Sequence, residues 1–159
     1  MSARRSHYHA GLGISLLVPP PWQRARTDQV PLVFIAPVEA GFRSNLGFMR
    51  APPDPAAPPP AEALAAAIAR AHAERSAEYP GFMEIAARHL VVDGRAAFLQ
   101  RYRWHPPEVP QPFAQLFGLV VTDDHGLLEI NGATLDSLAA RFLPLFEEIV
   151  RSIRFEPAA

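Results

Sequence analysis

Histidines are the first residues of this chain to test for chemistry, because an imidazole can ligate a metal ion or transfer a proton near neutral pH. The chain has six of them. His7 and His9 are two residues apart, which places both on one face of a strand. Two ligands make a weak metal site, and no third ligand lies nearby in sequence. We therefore predict no metal, and we expect His72, His89 and His105 to be solvated or hydrogen-bonded.

The run Asp123-Asp124-His125-Gly126 also combines acidic groups with an imidazole. Asp and Gly are the residues that a hairpin loop uses, so a turn explains the run without catalysis. Gly-x-Ser-x-Gly is absent, cysteine and lysine are absent, and Gly11-Leu12-Gly13 lacks the third glycine of a dinucleotide-binding loop. We predict that the protein is not an enzyme and holds no cofactor. The alternative is a small hydrolase or a small-molecule-binding protein, which would need a closed pocket where His125 or His89 meets an acid.

Aromatic side chains offer a candidate binding surface. Phe98, Tyr102 and Trp104 share one face of a predicted strand, while Arg101 and Arg103 share the other. One interpretation is a binding face with the arginines at its rim. The other, which we favour, is that the aromatic residues pack under the C-terminal helix while the arginines face solvent, because that helix needs an apolar partner. The residues that we nominate for binding are Trp22, Tyr102, Trp104, Arg101 and Arg103.

The composition is that of a globular protein. The chain has 159 residues, of which 49% are hydrophobic and 19% charged, and this suits a single domain over residues 1–159. The net charge of −1 predicts no bulk attraction to nucleic acid or to an anionic membrane. No apolar run approaches the roughly 20 residues of a membrane span. The apolar patch from Ala10 to Val18 follows two arginines, as in a signal peptide, but its alternation favours a strand, and we expect a cytoplasmic protein.

The N-terminal part of the chain predicts three strands and a connector. The first strand ends near Val18, where three prolines break the pattern. Leu32–Ala36 and Asn45–Arg50 are the next two, joined by a hairpin turn that uses Gly41. Segment 51–61 contains six prolines, which predicts an extended segment. We favour a stiff spacer over a ligand for an aromatic groove of a partner.

A helix and four strands follow. The helix is predicted over 61–79, with a thin, alanine-rich apolar stripe that packs close but buries little surface. Asp93-Gly94 is a strong signal for a two-residue hairpin turn. The four strands alternate apolar with polar residues, as an antiparallel sheet does, and are predicted over Met83–Val92, Arg95–Trp104, Phe113–Thr122 and Leu127–Gly132.

The C-terminal element has the strongest helical pattern, with apolar residues at helical spacing from Leu135 to Ile153. Thr134 is the predicted N-cap. Pro144 lies inside the pattern and predicts either a kink or two shorter helices that meet there. Ser152–Phe155 predicts a short edge strand. The whole order predicts an α+β fold, an antiparallel sheet with helices packed on it.

Three landmarks in this order resemble a known family. Ile14–Pro19 followed by Trp22 resembles the strand, proline and tryptophan that open the DcrB-like and LpqN-like bacterial proteins. The stretch Ala36–Leu46 resembles their Phe-x-x-Asn before a strand, and Phe146–Phe155 resembles their closing helix. Through them the chain resembles the PsbP-like fold superfamily, named after an extrinsic photosystem subunit, which also contains a fungal Ran-binding import factor.

The resemblance implies an α/β/α sandwich around an antiparallel sheet, and binding in place of catalysis. Members of this group are assembly factors, envelope lipoproteins, protein-binding adaptors and chaperones for type VI secretion effectors. The lipobox cysteine of the lipoprotein members is absent here. We therefore expect a non-enzymatic protein-binding or adaptor domain that binds a protein partner or a second copy of itself. The first alternative is a chaperone that shields apolar helices of a type VI secretion effector.

Overall fold

The computed structural model describes residues 3–51, 60–124 and 126–156, so most of the proline-rich connector and all of His125 lie outside the described residues. Its strands are β1 (Arg5–His9), β2 (Ile14–Val18), β3 (Gln23–Ala25), β4 (Leu32–Ile35), β5 (Asn45–Arg50), β6 (Met83–Val92), β7 (Arg95–Trp104), β8 (Phe113–Val121), β9 (Leu127–Leu135) and β10 (Arg154–Phe155). Its helices are α1 (Pro60–Glu78) and α2 (Ala139–Arg151), and a 3₁₀ turn, Asp136–Leu138, precedes α2.

The strands form two antiparallel sheets. The small sheet has the order β1-β2-β10, and the large sheet has the order β3-β4-β5-β9-β8-β7-β6. All strand pairs are antiparallel, and α1 and α2 pack on opposite faces of the large sheet. The predicted α+β class is therefore confirmed. The small sheet covers part of the α2 face, because β2 contacts α2 as well.

Two strands, β1 and β3, were not predicted, and both lie at sheet edges. The sequence of β1 is Arg-Ser-His-Tyr-His, which has no apolar alternation because most of the strand is exposed. The three-residue β3 begins directly after Trp22, whose N–H donates to the carbonyl of Pro19 at 3.1 Å in a turn. Strands that bury little apolar surface leave little signal in a hydrophobic pattern.

Both predicted hairpin turns have the geometry that their residues favour. Asp93 and Gly94 have φ angles of 48° and 77° between β6 and β7. Ala40 and Gly41 have φ angles of 52° and 75° between β4 and β5. Two consecutive positive φ angles are the requirement of the turn whose twist matches a hairpin.

The larger core cluster lies on the α2 face. Side chains of both sheets meet Phe142, Phe146 and Ile149 of α2 there, and Phe146 and Ile149 are fully buried. Gly132 of β9 faces the ring of Phe146, and a methyl group on Gly132 would come within 2.8 Å of its Cδ2 atom. The bare backbone of Gly132 therefore lets α2 approach the large sheet.

The smaller core cluster lies under α1 and corrects one prediction. Phe98 and Tyr102 pack under α1 and not under the C-terminal helix. The α2 face takes the intervening residues of β7, Ala97 and Leu99. Leu64 and Ala67 are the buried apolar residues of α1, which is the thin stripe that the sequence predicts.

The start of α2 corrects a second prediction. Thr134 is a buried residue of β9, and its hydroxyl shares a hydrogen bond of 2.8 Å with Ser44, so it does not cap the helix. The helix begins only at Ala139, after the 3₁₀ turn. Pro144 lies inside α2, which is one helix and not two. Pro144 and Ala140 are exposed, so water can reach the carbonyl group of Ala140 that proline leaves without an N–H partner.

The contact between Gly132 and Phe146 predicts that G132A destabilises the protein by about 1–3 kcal/mol, because the added methyl group overpacks the core. Urea unfolding of both proteins measures the change. G47A is the matched control: its methyl group would meet the Val30 Cγ1 atom at 3.1 Å, and the tip of that side chain can move. Equal losses for the two variants would contradict the assignment of Gly132 as the contact that limits the approach of α2.

Candidate functional site

The α1 face of the large sheet is half covered and half open. One row of paired residues crosses this face from β4 to β6, in the order Val33, Gly47, Asn131, Phe117, Gln100 and Ala87. Helix α1 covers the β7–β8 side of the row, and no other element of the described residues covers the β4–β5–β9 side. The candidate site is this open side, and its border is set by the position of α1.

A buried arginine network fixes that position. The guanidinium group of Arg75, on α1, lies 4.8 Å from the ring centre of Tyr102 and 4.2 Å from that of Phe117, and it donates to the side-chain oxygen of Gln100. Gln100 in turn donates to Glu84 Oε1 at 2.8 Å and contacts His72 Nδ1 at 3.0 Å. The network joins α1 to β7 and β6, so it sets where the helix lies on the sheet.

The surroundings of Arg75 disfavour its charge. Only 7% of Arg75 is exposed, and its Nε atom has no hydrogen-bond partner among the described residues. Burial lowers the pKa of Arg75, and the nearby Tyr102 and Tyr79 oppose that shift. Burial also raises the pKa of Tyr102 well above its usual range, and the charge of Arg75 counteracts part of this. Both groups are held by packing as much as by hydrogen bonds.

The open side forms a groove of about 460 Å³, which lies within the size range of ligand sites. Its apolar lining comes from Val33 and Ile35 on β4, Met49 on β5, and Val30 in the loop before β4. Gly47 sits between them, and the absence of a side chain there leaves room for Val30. Neighbouring strands therefore present apolar groups to one open hollow.

The polar groups of the groove are suited to positioning and not to proton transfer. Asn45 donates to the Arg43 carbonyl at 3.2 Å, and Asn131 donates to Glu129 Oε2 at 3.0 Å. No donor among the described residues binds the side-chain oxygen of either amide, so both oxygens can accept. The Nε of Arg43 donates to the Ala36 carbonyl at 3.3 Å. Among the described lining residues there is no histidine and no carboxylate, so the groove offers an apolar surface with amide acceptors.

The nominated aromatic residues lie away from this groove. Trp22 is buried on the α2 face, with its ring centre 6.1 Å from that of Phe142. Tyr102 is buried under α1. Trp104 is half-buried at the end of the same face, 4.2 Å from the ring of Tyr79, and donates to Gln115 Oε1 at 2.6 Å. The structure brings Tyr102 and Trp104 into one cluster but leaves Trp22 on the other side of the sheet.

The nominated arginines are held by α2 and the turn before it. Arg101 Nε lies 2.7 Å from Glu147 Oε1, and Arg103 lies 3.2 Å from Asp136 Oδ2. Arg88 of β6 also pairs with Glu147. These pairs lie on the α2 face, opposite Tyr102 and Trp104. The five nominated residues thus do not share one surface, and their role in binding stays a prediction.

The histidines that the structure describes have packing or hydrogen-bonding roles. His7 packs edge to face with Phe34, with ring centres 4.8 Å apart, and burial, with the nearby charges of Arg24 and Arg5, lowers its pKa. His9 Nδ1 accepts from the backbone N–H of Leu12 at 3.0 Å. Within the described residues, no three His, Cys, Asp or Glu side chains are grouped so that they could hold a metal ion.

The groove residues escaped the sequence analysis. Val33, Ile35 and Met49 look like ordinary strand residues, because whether a strand face is covered depends on where a distant helix packs. Gly47 was the available signal, since a glycine inside a strand often marks a close approach of other atoms.

No protein-family model matches the sequence, and no curated protein matches it. Solved structures share its fold. LpqN of Mycobacterium tuberculosis, which is involved in cell envelope biogenesis, is 16% identical with a TM-score of 0.71, over 97% of this chain and 91% of LpqN. Cyanobacterial PsbP of Synechocystis sp. PCC 6803 is 15% identical with a TM-score of 0.64, over 98% of this chain and 94% of its own. The Ran-binding protein Mog1p of Saccharomyces cerevisiae is 13% identical with a TM-score of 0.62, over 98% of this chain and 96% of Mog1p.

These likenesses confirm the predicted PsbP-like fold. At such low identities they show the fold alone. Neither of the two helices in the described parts of the chain is long and apolar enough to cross a membrane. The cytoplasmic location stays a prediction.

The burial of Tyr102 predicts a pH-dependent loss of stability. Because its pKa is raised in the folded state, the unfolded chain loses this proton first, above about pH 10, and stability then falls by about 1.4 kcal/mol per pH unit from this group. Below about pH 10 Tyr102 keeps its proton in both the folded and the unfolded chain, so its contribution to the unfolding free energy is fully present. Y102F keeps the ring beside Arg75 but has no proton to lose, so its unfolding free energy should fall less steeply with pH. Urea unfolding from pH 9 to 11 tests this.

The half-exposed Tyr8 provides the control for this measurement. Y8F should keep the wild-type slope. Identical slopes for the wild type and Y102F would contradict the burial argument.

Proposed function

We propose that this chain is a non-enzymatic protein-binding or adaptor domain, and that the groove on the α1 face holds an apolar segment of its partner. The single observation that carries the proposal is the open half of that face. Val33, Ile35 and Met49 line a hollow there that no element of the described residues covers. Half-buried apolar side chains that line an open hollow in this way are typical of a binding site.

The dimensions of the sheet favour a helix as the bound segment. Helix α1 packs on β8, and β5 lies two strands away, with β9 between them. Two strand spacings amount to about 10 Å. Packed helices lie about 8–10 Å apart. A helix over β5 would therefore lie beside α1 at an ordinary packing distance and complete the helical layer.

The chemistry of the groove supports an apolar helix in particular. A helix satisfies its own backbone hydrogen bonds, so it can lie on Val33, Ile35 and Met49 without leaving polar groups unpaired. The free amide oxygens of Asn45 and Asn131 can accept hydrogen bonds from polar side chains at its margin. A carboxamide does not ionise near neutral pH and is therefore a poor general acid or base, which supports a role in binding and not in catalysis.

The same features favour a more specific role, a chaperone that shields an apolar helix of a client such as a type VI secretion effector. The groove is open along the sheet face and lined by apolar side chains, so a client helix could enter from the side. Mog1p, which has this fold, is a Ran-binding protein, and this supports a protein as the ligand. We propose that the chain acts in this way as one domain.

The test is comparative affinity capture from the native host, with the wild type and two groove variants. M49E would place a carboxylate in the apolar lining, and G47V would fill the hollow with a side chain that favours strands. We expect each to reduce recovery of the partner by roughly tenfold or more, which corresponds to about 1.4 kcal/mol of binding free energy. Quantitative mass spectrometry measures recovery, and thermal unfolding confirms that both variants fold.

V38E is the matched control. Val38 is 65% exposed and lies in the β4–β5 hairpin, outside the groove lining, so its variant carries the same new charge elsewhere. It should recover the partner as the wild type does. Partners that both groove variants retain would disprove the groove assignment, and a wild type that reproducibly recovers no partner would disprove the adaptor function.

A further inference from the structure

Strand β6 leaves one edge of the large sheet open. It is the last strand in the order, and among the described residues it pairs with β7 alone. The strand is ten residues long, whereas the opposite edge strand, β3, has three. A short edge offers little template for pairing, but a ten-residue edge presents a full row of backbone N–H and C=O groups.

Exposed apolar side chains are concentrated on this edge. Six large hydrophobic side chains are exposed in the described residues, and three of them belong to β6: Met83 at 51%, Ile85 at 49% and Val91 at 68%. One strand therefore carries half of the exposed hydrophobic side chains. Random scatter over the surface would not produce this concentration.

The polar side chains of β6 do not protect the edge. Glu84 accepts a hydrogen bond from Gln100 on one face of the sheet, and Arg88 pairs with Glu147 on the other. His89 packs on Phe98, with ring centres 5.3 Å apart. Natural edge strands are usually guarded by free charges, proline or bulges. The strand contains no proline and no lysine, and its one irregularity is a bulge between Glu84 and Ala86.

We propose that β6 pairs antiparallel with β6 of a second copy of this chain, which joins two seven-stranded sheets into one across a two-fold axis. The apolar residues lie at both ends of the strand, with Met83 and Ile85 at the start and Leu90 and Val91 near the end. Antiparallel pairing places the start of one strand beside the end of the other. The apolar residues of the two ends that share a face, Met83 and Leu90 on the α2 face, then come together, as a two-fold interface requires.

The centre of the strand permits close approach. Ala86 and Ala87 lie there and are small, and Arg88 is held within its own chain by Glu147, which also pairs with Arg101. Ala86–Val92, beyond the bulge, is a regular stretch of seven residues. A pairing that brings the two apolar ends together runs through the bulge, so it supplies about five backbone hydrogen bonds, about half of the roughly ten of a typical protein interface. The edge therefore provides both apolar contact and directional bonds for self-association.

Light scattering after size-exclusion chromatography tests the proposal on the full chain. The wild type should have twice the 17.4 kDa mass of the chain. I85K combined with V91K places two free charges on the edge and should reduce the mass to that of one chain. V38K is the control, because Val38 is equally exposed but lies in another hairpin, and it should stay dimeric.

Cysteine cross-linking locates the interface even if the lysine variant folds poorly. The chain has no cysteine, so each single-cysteine variant has one reactive thiol. In an antiparallel pair, residues that lie opposite each other point to the same face of the sheet. In a two-fold dimer this holds only when one residue of β6 lies opposite the same residue of the second copy. Single cysteines placed in turn at residues 86 to 90 should give one strong disulfide-linked dimer, and V38C should give none.

A monomeric wild type across the micromolar to millimolar range would overturn the proposal. So would a dimer that the double lysine variant leaves intact while no cysteine in β6 cross-links. The proposal is independent of the groove, which lies four strands from this edge: loss of the dimer should not abolish partner capture, and M49E should not abolish the dimer.

Discussion

The width of the large sheet sets the constraint on which the other features depend. Seven strands at about 4.8 Å make a surface about 29 Å wide, and one helix covers about 10–12 Å of it. The α2 face meets this requirement with α2 and the small sheet together, whose side chains form one core cluster. On the α1 face, α1 is the one covering element among the described residues, and within them the β4–β5–β9 side stays open. The two faces of the large sheet are therefore covered to different extents, because the sheet is wider than the one helix on its α1 face.

The Arg75 network explains why α1 lies over β7 and β8 and not over the middle of the large sheet. Leu64 and Ala67 alone bury little surface, and such a stripe by itself would tolerate several positions. The contacts of Arg75 with Gln100, Tyr102 and Phe117 tie the helix to β7 and β8. Burying a charged group with an unpaired Nε atom costs stability, so the network contributes to the position of the helix more than to the free energy of folding.

Local signals were sufficient for much of the fold. Asp93-Gly94 predicted its hairpin because few dipeptides tolerate two positive φ angles, and the bounds of β5, β6 and β7 were read correctly from alternation. The α1 helix was bounded within one residue at each end. Thr134 was misplaced because a threonine before an apolar helical pattern resembles a cap, whereas its burial depends on Ser44, a residue ninety positions away that directly precedes β5. A local sequence pattern carries no information about the hydrogen bond between Thr134 and Ser44.

The candidate site was harder to predict for the same reason. The alternation of Phe98 and Tyr102 showed that they share a face, but not which helix would cover it, because both helices have apolar stripes. The groove exists because α1 does not cover this part of the sheet, and the groove residues themselves carry no sequence signal of where α1 packs. Only Gly47 carried a local sign, through the room that it leaves for Val30. A site that forms where a helix leaves part of a sheet uncovered is therefore found from the packed structure and not from sequence motifs.

The groove and the β6 edge lie in different parts of the same sheet, and their relation follows from symmetry. A two-fold axis between antiparallel strands is perpendicular to the sheet, so the α1 faces of both copies lie on the same side. Strand β5 is four strand spacings from β6, which places two grooves about 40 Å apart on that side, less the effect of sheet twist. Such a dimer presents two equivalent grooves in one direction. A partner with two apolar segments, or a complex that contains two partners, would then occupy both grooves of one dimer. Its affinity would exceed that for a single groove, provided that the link between the two bound segments spans this distance.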